Sequence, residues 1–288
     1  MTAVHPAPSL KVRVLEEEDR GAIAGLLDRD RVGTLYLRSL VHEHGVAFTS
    51  RLEHGRFLGS FRNGELTGML FLGNARNITT WGDEPSVRAV LDRAAAEPRL
   101  PRLFIGPAAH GDLVRRTLNR GGISPFLDRE QGYLVLTRDA LAHVPSLPIR
   151  PGTPDDLDDV ARAHAAMTEE DLNIPSASLD RRRLRRAALA RLSAGKIWVA
   201  MEGNRLACKM EESARSEDGV LVGGVYTSPE FRNRGYATRT LAAWARILFD
   251  EGLLMLTLHV NMVNFPAVRA YEKVGFKRHS TLRLMLAY

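Results

Sequence analysis

The chain has 288 residues, of which 44% are hydrophobic and 26% are charged. This length allows two domains of ordinary size, and the composition is typical of a soluble globular protein. No apolar run is long enough for a membrane-spanning helix, so none is predicted.

The formal net charge of +6 comes from arginine, because lysine occurs only as Lys11, Lys196, Lys209, Lys273 and Lys277. The arginines are scattered and are not interleaved with aromatic residues, and no nucleic-acid-binding motif occurs. Nucleic-acid binding would therefore rest on charge alone, and a polyanionic cofactor suits the same charge. We predict neither a nucleic-acid partner nor a membrane partner.

Residues 1–9 lack the basic start and the apolar core of a signal peptide, which predicts a disordered tail on a cytoplasmic protein. The single cysteine, Cys208, cannot form an internal disulfide. No cysteine or histidine lies near it at a spacing typical of metal ligands, so no metal site is predicted.

The first half of the chain alternates strand patterns with helix patterns. Residues 12–14 form a short strand pattern, and acidic residues 16–19 begin a helix. A hairpin pattern follows, with the turn dipeptide Asn63-Gly64 between residues 56–61 and 66–72. Helix, strand, helix and strand patterns then occur at residues 86–96, 103–106, 112–119 and 133–136.

The same order begins again in the second half. Residues 149–151 form a strand pattern and residues 153–156 begin a helix, so Asp156 corresponds to Asp19. A second hairpin pattern occupies residues 196–201 and 206–212. This repetition predicts two similarly folded domains, at residues 10–143 and 149–288, joined by a linker at residues 144–148.

Residues 224–239, GVYTSPEFRNRGYATR, combine a strand, a tight turn and a helix start. Val225, Tyr226 and Thr227 favour a strand, and Pro229 cannot continue the strand's hydrogen-bond ladder. The apolar pattern of a helix follows the turn. The backbone N–H groups of such a turn and of the first helical turn are unpaired and can bind a diphosphate.

Four residues of this segment fit the same interpretation. Gly235 lets the backbone approach a ligand, and Ala237 leaves room beside the helix. Arg232 and Arg234 add positive charge. A second apolar run, at residues 253–260, then precedes a further helix pattern.

Together, these stretches resemble the GCN5-related N-acetyltransferase (GNAT) family. Its signature R-x-x-G-x-A is met by Arg232, Gly235 and Ala237. Its second signature, N-x-x-A-x-x-x-Y followed by G-F, is met by Asn264, Ala267, Tyr271, Gly275 and Phe276.

The resemblance implies a mixed α/β fold, here as two tandem domains that each hold a twisted mixed β-sheet flanked by helices. It also implies acetyl-CoA as the cosubstrate, inserted where the strands at residues 220–228 and 253–260 part. Backbone N–H groups of the first strand would polarise the thioester carbonyl. The predicted cofactor-binding set is Val225, Tyr226, Thr227, Arg232, Asn233, Arg234, Gly235, Tyr236, Ala237, Thr238 and Asn264.

The resemblance assigns Tyr271 the role of general acid toward the leaving thiolate, and an ordinary tyrosine, with a pKa of about 10, carries that proton at neutral pH. The general base is left open. Glu211 and Glu212 end the hairpin strand, and alternation lets only one of them face the site, for which we prefer Glu211. Glu169 and Glu170, expected in a loop, could instead bind the amine, or the amine could lose its proton to water.

The first half lacks these features. Residues 74–82 contain no R-x-x-G-x-A, and Asp83 and Glu84 place negative charge before the helix. Aligning Gly122 with Gly275 places Leu118 where the second half has Tyr271. We predict a degenerate N-terminal copy and one acetyl-CoA per chain, as in tandem members of the family whose active domain is C-terminal.

The predicted function is that of an acyltransferase, one that transfers groups other than amino-acyl groups. It moves an acetyl group from acetyl-CoA to a primary amine by direct attack. The acceptor, a small molecule or a peptide, is left open, and a monomer or homodimer is expected. The alternative is a non-catalytic acetyl-CoA sensor or partner-binding module.

Overall fold

The structure is a computed structural model that describes residues 10–97 and 100–288, so the predicted tail at residues 1–9 lies outside the described residues. The strands are β1 Leu10–Val14, β2 Gly55–Arg62, β3 Glu65–Gly73, β4 Asn77–Gly82, β5 Leu103–Pro107, β6 Leu127–Thr137, β7 Arg150–Pro151, β8 Ile197–Glu202, β9 Arg205–Arg215, β10 Gly219–Thr227, β11 Met255–Val260 and β12 Lys277–Leu286. The helices are α1 Arg20–Leu27, α2 Leu35–His44, α3 Glu84–Ala94, α4 Gly111–Arg120, α5 Leu157–Leu172, α6 Arg181–Ser193, α7 Tyr236–Asp250 and α8 Phe265–Val274.

The chain divides into two compact units with similar sheets. Strands run in the order β1-β2-β3-β4-β5-β12 in the first unit and β6-β11-β10-β9-β8-β7 in the second. Each sheet contains a parallel pair, β4 with β5 in the first and β10 with β11 in the second, next to antiparallel pairs. The predicted mixed α/β fold of two repeated units is confirmed. None of the helices in the described residues is long and apolar enough to cross a bilayer.

The boundaries of the two units differ from those of the predicted domains at residues 10–143 and 149–288. The first unit ends at Gly132 but takes in Ser280–Tyr288, and the second is Tyr133–His279. The reason is strand pairing: β12 pairs antiparallel with β5, from Leu282 opposite Pro107 to Leu286 opposite Leu103. Hydrophobic patterns indicate that a strand forms but not which strand it joins.

The repeat extends to individual hydrogen bonds at the start of each copy. Asp19 accepts two bonds from Arg13, both of 2.6 Å, and Asp156 accepts two from Arg150, of 2.7 and 2.8 Å. Each aspartate also accepts from the backbone N–H three residues earlier, at 3.0 and 2.8 Å. The predicted correspondence of Asp19 and Asp156 is therefore seen in their contacts.

Asp156→Asn should lower the free energy of unfolding at pH 7 by about 1 to 3 kcal/mol, because the amide cannot replace a charge-assisted bidentate pair. The hydrogen bond from Arg150 lowers the pKa of Asp156. This stabilisation is complete above the ordinary aspartate pKa of about 3.9 and is lost as pH falls through the lower pKa of the folded state. Urea unfolding of wild type and variant should thus converge toward acid pH. A constant difference across pH would contradict the ion-pair account.

Two clusters of side chains cover opposite faces of the second sheet. Against one face pack helices α7 and α8, through buried residues such as Leu241, Trp244 and Val274. Helices α5 and α6 pack on the other face, through Val160 and Leu192 among others. Side chains that alternate along β9 and β10 therefore point either to the α7 and α8 layer or to the α5 and α6 layer.

Candidate active site

Strands β10 and β11 pair over only part of their length. Their parallel register runs from Gly219 opposite Met255 to Leu221 opposite Thr257. Beyond this point β10 continues to Thr227 and β11 to Val260. The parting of the two strands was predicted, and it leaves the β11-facing edge of β10 open to a ligand that can pair with backbone.

The open part of β10 also carries a bulge. Its register with β9 shifts between Gly223, opposite Glu211, and Tyr226, opposite Lys209. Three steps along β10 thus match two along β9, and Gly224 within the bulge has a left-handed φ of 57°. A bulge turns backbone groups out of the ladder, so it changes where the N–H groups of this segment point.

A tight turn leads from β10 into α7. Asn233 and Gly235 both have left-handed φ angles, of 59° and 77°. Residues of this kind point successive backbone N–H groups into one concavity, which binds anions. Gly235 is the N-cap residue of α7 and has no side chain to cap it. The positive end of a 15-residue helix is therefore uncapped at the place where a diphosphate was predicted.

The two arginines of the turn are arranged differently. Arg232 donates to both carboxylate oxygens of Glu170, at 2.7 and 3.0 Å, and its Nε donates to Thr227 O at 3.1 Å. Arg234 lies over the rings of Phe231 and Tyr236, at 5.7 and 5.9 Å. Arg234 thus keeps its charge at the mouth of the turn, whereas Arg232 must leave Glu170 to reach a phosphate.

The other predicted side chains of the turn divide into structural and accessible ones. Tyr236 is buried and its hydroxyl donates to Glu202, so only its backbone N–H faces a ligand. Ala237 packs against a small buried cluster that contains Phe231. Asn233 is exposed, and Thr238 lies half-buried in the first turn of α7.

The three predicted strand residues alternate between the two faces, as expected. Tyr226 is buried in the cluster beneath α5 and α6, and Val225 packs against the α7 and α8 cluster. Thr227 shares the latter face, where its hydroxyl lies 3.6 Å from Cys208 Sγ. Burial raises the pKa of Cys208 to about 11, so this thiol stays protonated.

Asn264 is the N-cap residue of α8, and its side-chain oxygen accepts from the N–H of Ala267 at 3.2 Å. Capping occupies the oxygen and leaves the amide nitrogen to donate. Asn264 therefore suits a carbonyl of the pantetheine arm rather than one of its N–H groups.

Tyr271 is buried in α8, with its ring 6.0 Å from that of Phe276. Burial first, and then the neighbouring Asp171 and Cys208, raise the pKa of its hydroxyl above the ordinary value. The tyrosine is therefore protonated throughout the neutral range. Tyr271 belongs to the buried cluster against which Val225, in the open segment of β10, packs.

Glu211 lies on the α5 and α6 face of β9, within a cluster that the sequence did not predict. Lys209 Nζ donates to its Oε1, Arg191 Nε lies 2.9 Å from Oε2, and His164 Nδ1 lies 3.7 Å from Oε1. Burial opposes ionisation of Glu211, but Lys209, His164 and Arg191 outweigh it and hold its pKa well below the usual range. A carboxyl held this strongly in the ionised form is a weak general base.

Two of the other candidate carboxylates, Glu212 and Glu170, have partners of their own. Glu212 pairs with Arg215 at 2.8 Å, as expected if it faces away from Glu211. Glu169 and Glu170 lie in the last turns of α5 and not in a loop, so that prediction was wrong. The apolar helical pattern weakens near residue 168, and for this reason the sequence suggested an earlier helix end.

The first unit fills the equivalent space with its own side chains. Strands β4 and β5 pair at Ile78 opposite Phe104, and beyond this pair His110 is inserted. Its Nδ1 lies 3.0 Å from Thr80 Oγ1 and its Nε2 lies 3.2 Å from Gly82 O. Both nitrogens are satisfied if Nε2 donates to the carbonyl and Nδ1 accepts from the hydroxyl. Burial lowers the pKa of His110, which favours this neutral form.

Helix α3 of the first unit is capped by protein as well. The Asp83 carboxylate accepts from Ser86 N at 2.9 Å and pairs with Arg62 at 3.0 Å. A carboxylate therefore already holds the anion position of this helix N-terminus. No turn with two left-handed residues separates β4 from α3.

The last helices of the two units end in the same way. Ile123 N donates to Leu118 O at 3.0 Å, and Phe276 N donates to Tyr271 O at 3.1 Å. Leu118 thus occupies the backbone position of Tyr271, as the sequence alignment predicted. The first unit has an aliphatic side chain where the second has a hydroxyl.

Residues 162–276 match the family model described as acetyltransferase (GNAT) family. The chain therefore carries a GNAT-family acetyltransferase domain, and this family uses acetyl-CoA as its cosubstrate. No curated protein matches the chain.

Solved structures show the same fold over nearly the whole chain. A GCN5-related N-acetyltransferase from Sphaerobacter thermophilus has a TM-score of 0.57 and 16% identity, covering 96% of this chain and 94% of that one. A tandem GNAT protein from the clavulanic acid biosynthesis pathway has a TM-score of 0.51 and 15% identity, covering 97% and 98%. A Drosophila protein has a TM-score of 0.69 and 16% identity, covering 96% and 98%. At these identities the likeness concerns the fold alone.

Proposed function

We propose that the second unit transfers the acetyl group of acetyl-CoA to a primary amine by direct attack. The observation that carries the proposal is the continuous path from the open, bulged segment of β10 to the uncapped turn that begins α7. An extended pantetheine arm pairs with the strand edge, and the diphosphate takes the turn. The path is open to a ligand only in the second unit, because His110 and Asp83 close its counterpart.

The cofactor roles follow from the contacts. The N–H groups of the turn and the guanidinium of Arg234 bind the diphosphate, with Asn233 and Thr238 at its rim. Backbone groups from Val225 to Thr227 bind the arm, and Asn264 donates to one of its carbonyls. Arg232 joins the phosphate only by exchanging its contact with Glu170.

In the reaction the amine nitrogen attacks the thioester carbonyl carbon, and the carbon–sulfur bond breaks. Tyr271 gives its proton to the departing thiolate. The amine releases its extra proton to water. A proton from water then returns to the Tyr271 hydroxyl. Glu211 holds its neighbours in place rather than accepting this proton, because its pKa is held low by Lys209, His164 and Arg191.

The test is release of CoA thiol when the full chain is mixed with acetyl-CoA and a panel of small primary amines and short peptides. We expect thiol release with at least one acceptor, with an acetylated amine formed in equal amount. Tight acetyl-CoA binding without thiol release over a broad panel would instead support a sensor or partner-binding module.

A further inference from the structure

Lys209 is a fully buried lysine in β9, between the buried apolar residues Cys208 and Met210. Its ammonium donates to Glu211 Oε1 and to the backbone oxygen of Gly224 at 2.9 Å. A buried ammonium is costly unless it is paired and hydrogen-bonded. Gly224 lies in the bulge of β10 and Glu211 lies opposite Gly223 where the bulge begins, so Lys209 connects β9 to this bulge.

The bulge is shaped to receive this pair. Gly224 has a left-handed φ of 57°, and a Cβ there would lie 2.6 Å from the carboxyl carbon of Glu211. Glu211 thus packs directly against the backbone of Gly224. Arg191 and His164 are the other charged or titratable groups that face this carboxylate, from α6 and α5.

The contact with Lys209 fixes the direction of one peptide group. The Gly224–Val225 peptide is trans, so the N–H of Val225 points away from the carbonyl of Gly224. With the carbonyl held toward Lys209, that N–H is directed away from Lys209. The positive charge of the Lys209 ammonium beside the carbonyl oxygen also polarises the amide, which strengthens its N–H as a donor.

We propose that Lys209 is a positioning residue that aims and polarises the Gly224–Val225 peptide, so that Val225 N–H donates to the thioester carbonyl oxygen of acetyl-CoA. This inference rests on the proposed function of the second unit. Lys209 itself contacts neither substrate nor cofactor and acts through the peptide and through Glu211.

The test needs only the complex of the full chain with acetyl-CoA labelled with ¹³C at the thioester carbonyl. A hydrogen bond to that oxygen shifts the carbonyl band in isotope-edited infrared spectra to lower frequency. We expect this shift on binding to wild type and its loss in Lys209→Met, with acetyl-CoA affinity changed by less than about tenfold because the turn and strand edge remain. Turnover should fall on the order of 10²-fold, as for loss of an oxyanion donor.

Two further variants separate positioning from folding. Lys209→Met/Glu211→Met removes both charges, and replacing a buried ion pair by apolar residues of similar volume preserves folding in many proteins. This double variant should fold, bind acetyl-CoA and lack the shift, which decides the question if the single variant does not fold. Arg150→Met breaks an ion pair of the same unit outside the site and should keep the full shift.

A normal carbonyl shift in either Lys209 variant would overturn the inference, as would the absence of a shift in wild type that binds acetyl-CoA. Failure of wild type to bind acetyl-CoA at all would refute the proposed function instead. The two failures are therefore distinguishable in the same experiment.

Discussion

Gly235→Glu should abolish measurable acetyl-CoA binding while the chain remains folded. The new carboxylate lies at the N-terminus of α7, where the diphosphate is proposed to bind. Two unit charges of like sign 4 Å apart near a protein surface repel by about 4 kcal/mol, so affinity should fall on the order of 10³-fold. A Cβ at Gly235 has room, since its nearest neighbour, Arg239 Cδ, lies 3.7 Å away. The left-handed φ of 77° costs stability but burdens free and bound protein alike.

The matched control is Gly252→Glu, at the opposite end of α7. Gly252 is exposed, has a left-handed φ of 95°, and has nothing within 4 Å of an added Cβ. This variant adds the same side chain and the same backbone strain about 20 Å from the turn. Calorimetry should show binding close to wild type for Gly252→Glu and none for Gly235→Glu. Equal affinity in the two variants would mean that the diphosphate binds elsewhere.

Tyr271→Phe should lower turnover on the order of 10²- to 10⁴-fold and leave acetyl-CoA affinity nearly unchanged. The ring keeps its packing against Phe276, and only the proton donor is lost. Because the pKa of Tyr271 is raised, deprotonation of its hydroxyl should not lower wild-type activity up to and beyond pH 10. Steady-state kinetics with the acceptor found in the thiol-release assay would measure both effects.

Tyr133→Phe is the control for removal of a buried hydroxyl in the same unit. Tyr133 is buried and donates to the buried hydroxyl of Thr257 at 2.9 Å, so its loss should affect stability rather than turnover. If Tyr271→Phe retains turnover within about twofold of wild type, another group protonates the thiolate and Tyr271 only packs.

Much of the second unit could be predicted because its signals are local. Pro229 marks the end of β10 to within two residues, and Gly235 marks the left-handed N-cap of α7. The hairpin turns at Asn63-Gly64 and at Gly203 adopt the positive φ angles that these residues favour. The conformational preferences of one or two neighbouring residues determine each of these features.

The strands β4 and β12 were not predicted, for different reasons. Residues 77–82 follow the first hairpin closely and contain polar threonines, although Ile78 and Trp81 favour a strand. The strand β12 is the last in the chain, and its partner β5 lies more than 150 residues earlier in the sequence. Long-range pairing leaves little trace in the pattern of a single sequence.

The cluster around Glu211 was missed because its members come from three elements. His164, Arg191 and Lys209 lie on α5, α6 and β9, and nothing in their spacing indicates that they meet. One signal was available. Lys209 stands between Cys208 and Met210 in the apolar part of β9, where an inward-facing lysine requires a buried partner.

The structure offers a physical reason why we propose no cofactor in the first unit. His110 fills the gap between the strands, and Asp83 caps the helix N-terminus, where a cofactor would otherwise bind. The polar groups of His110 and Asp83 pair with protein groups, so these residues need no ligand to satisfy them.

We propose above all that the chain binds one acetyl-CoA, in the second unit. Titration calorimetry of the full chain with acetyl-CoA tests this most directly. We expect a stoichiometry near one in wild type, and no binding in Gly235→Glu. A stoichiometry near two, or binding that survives Gly235→Glu, would contradict it.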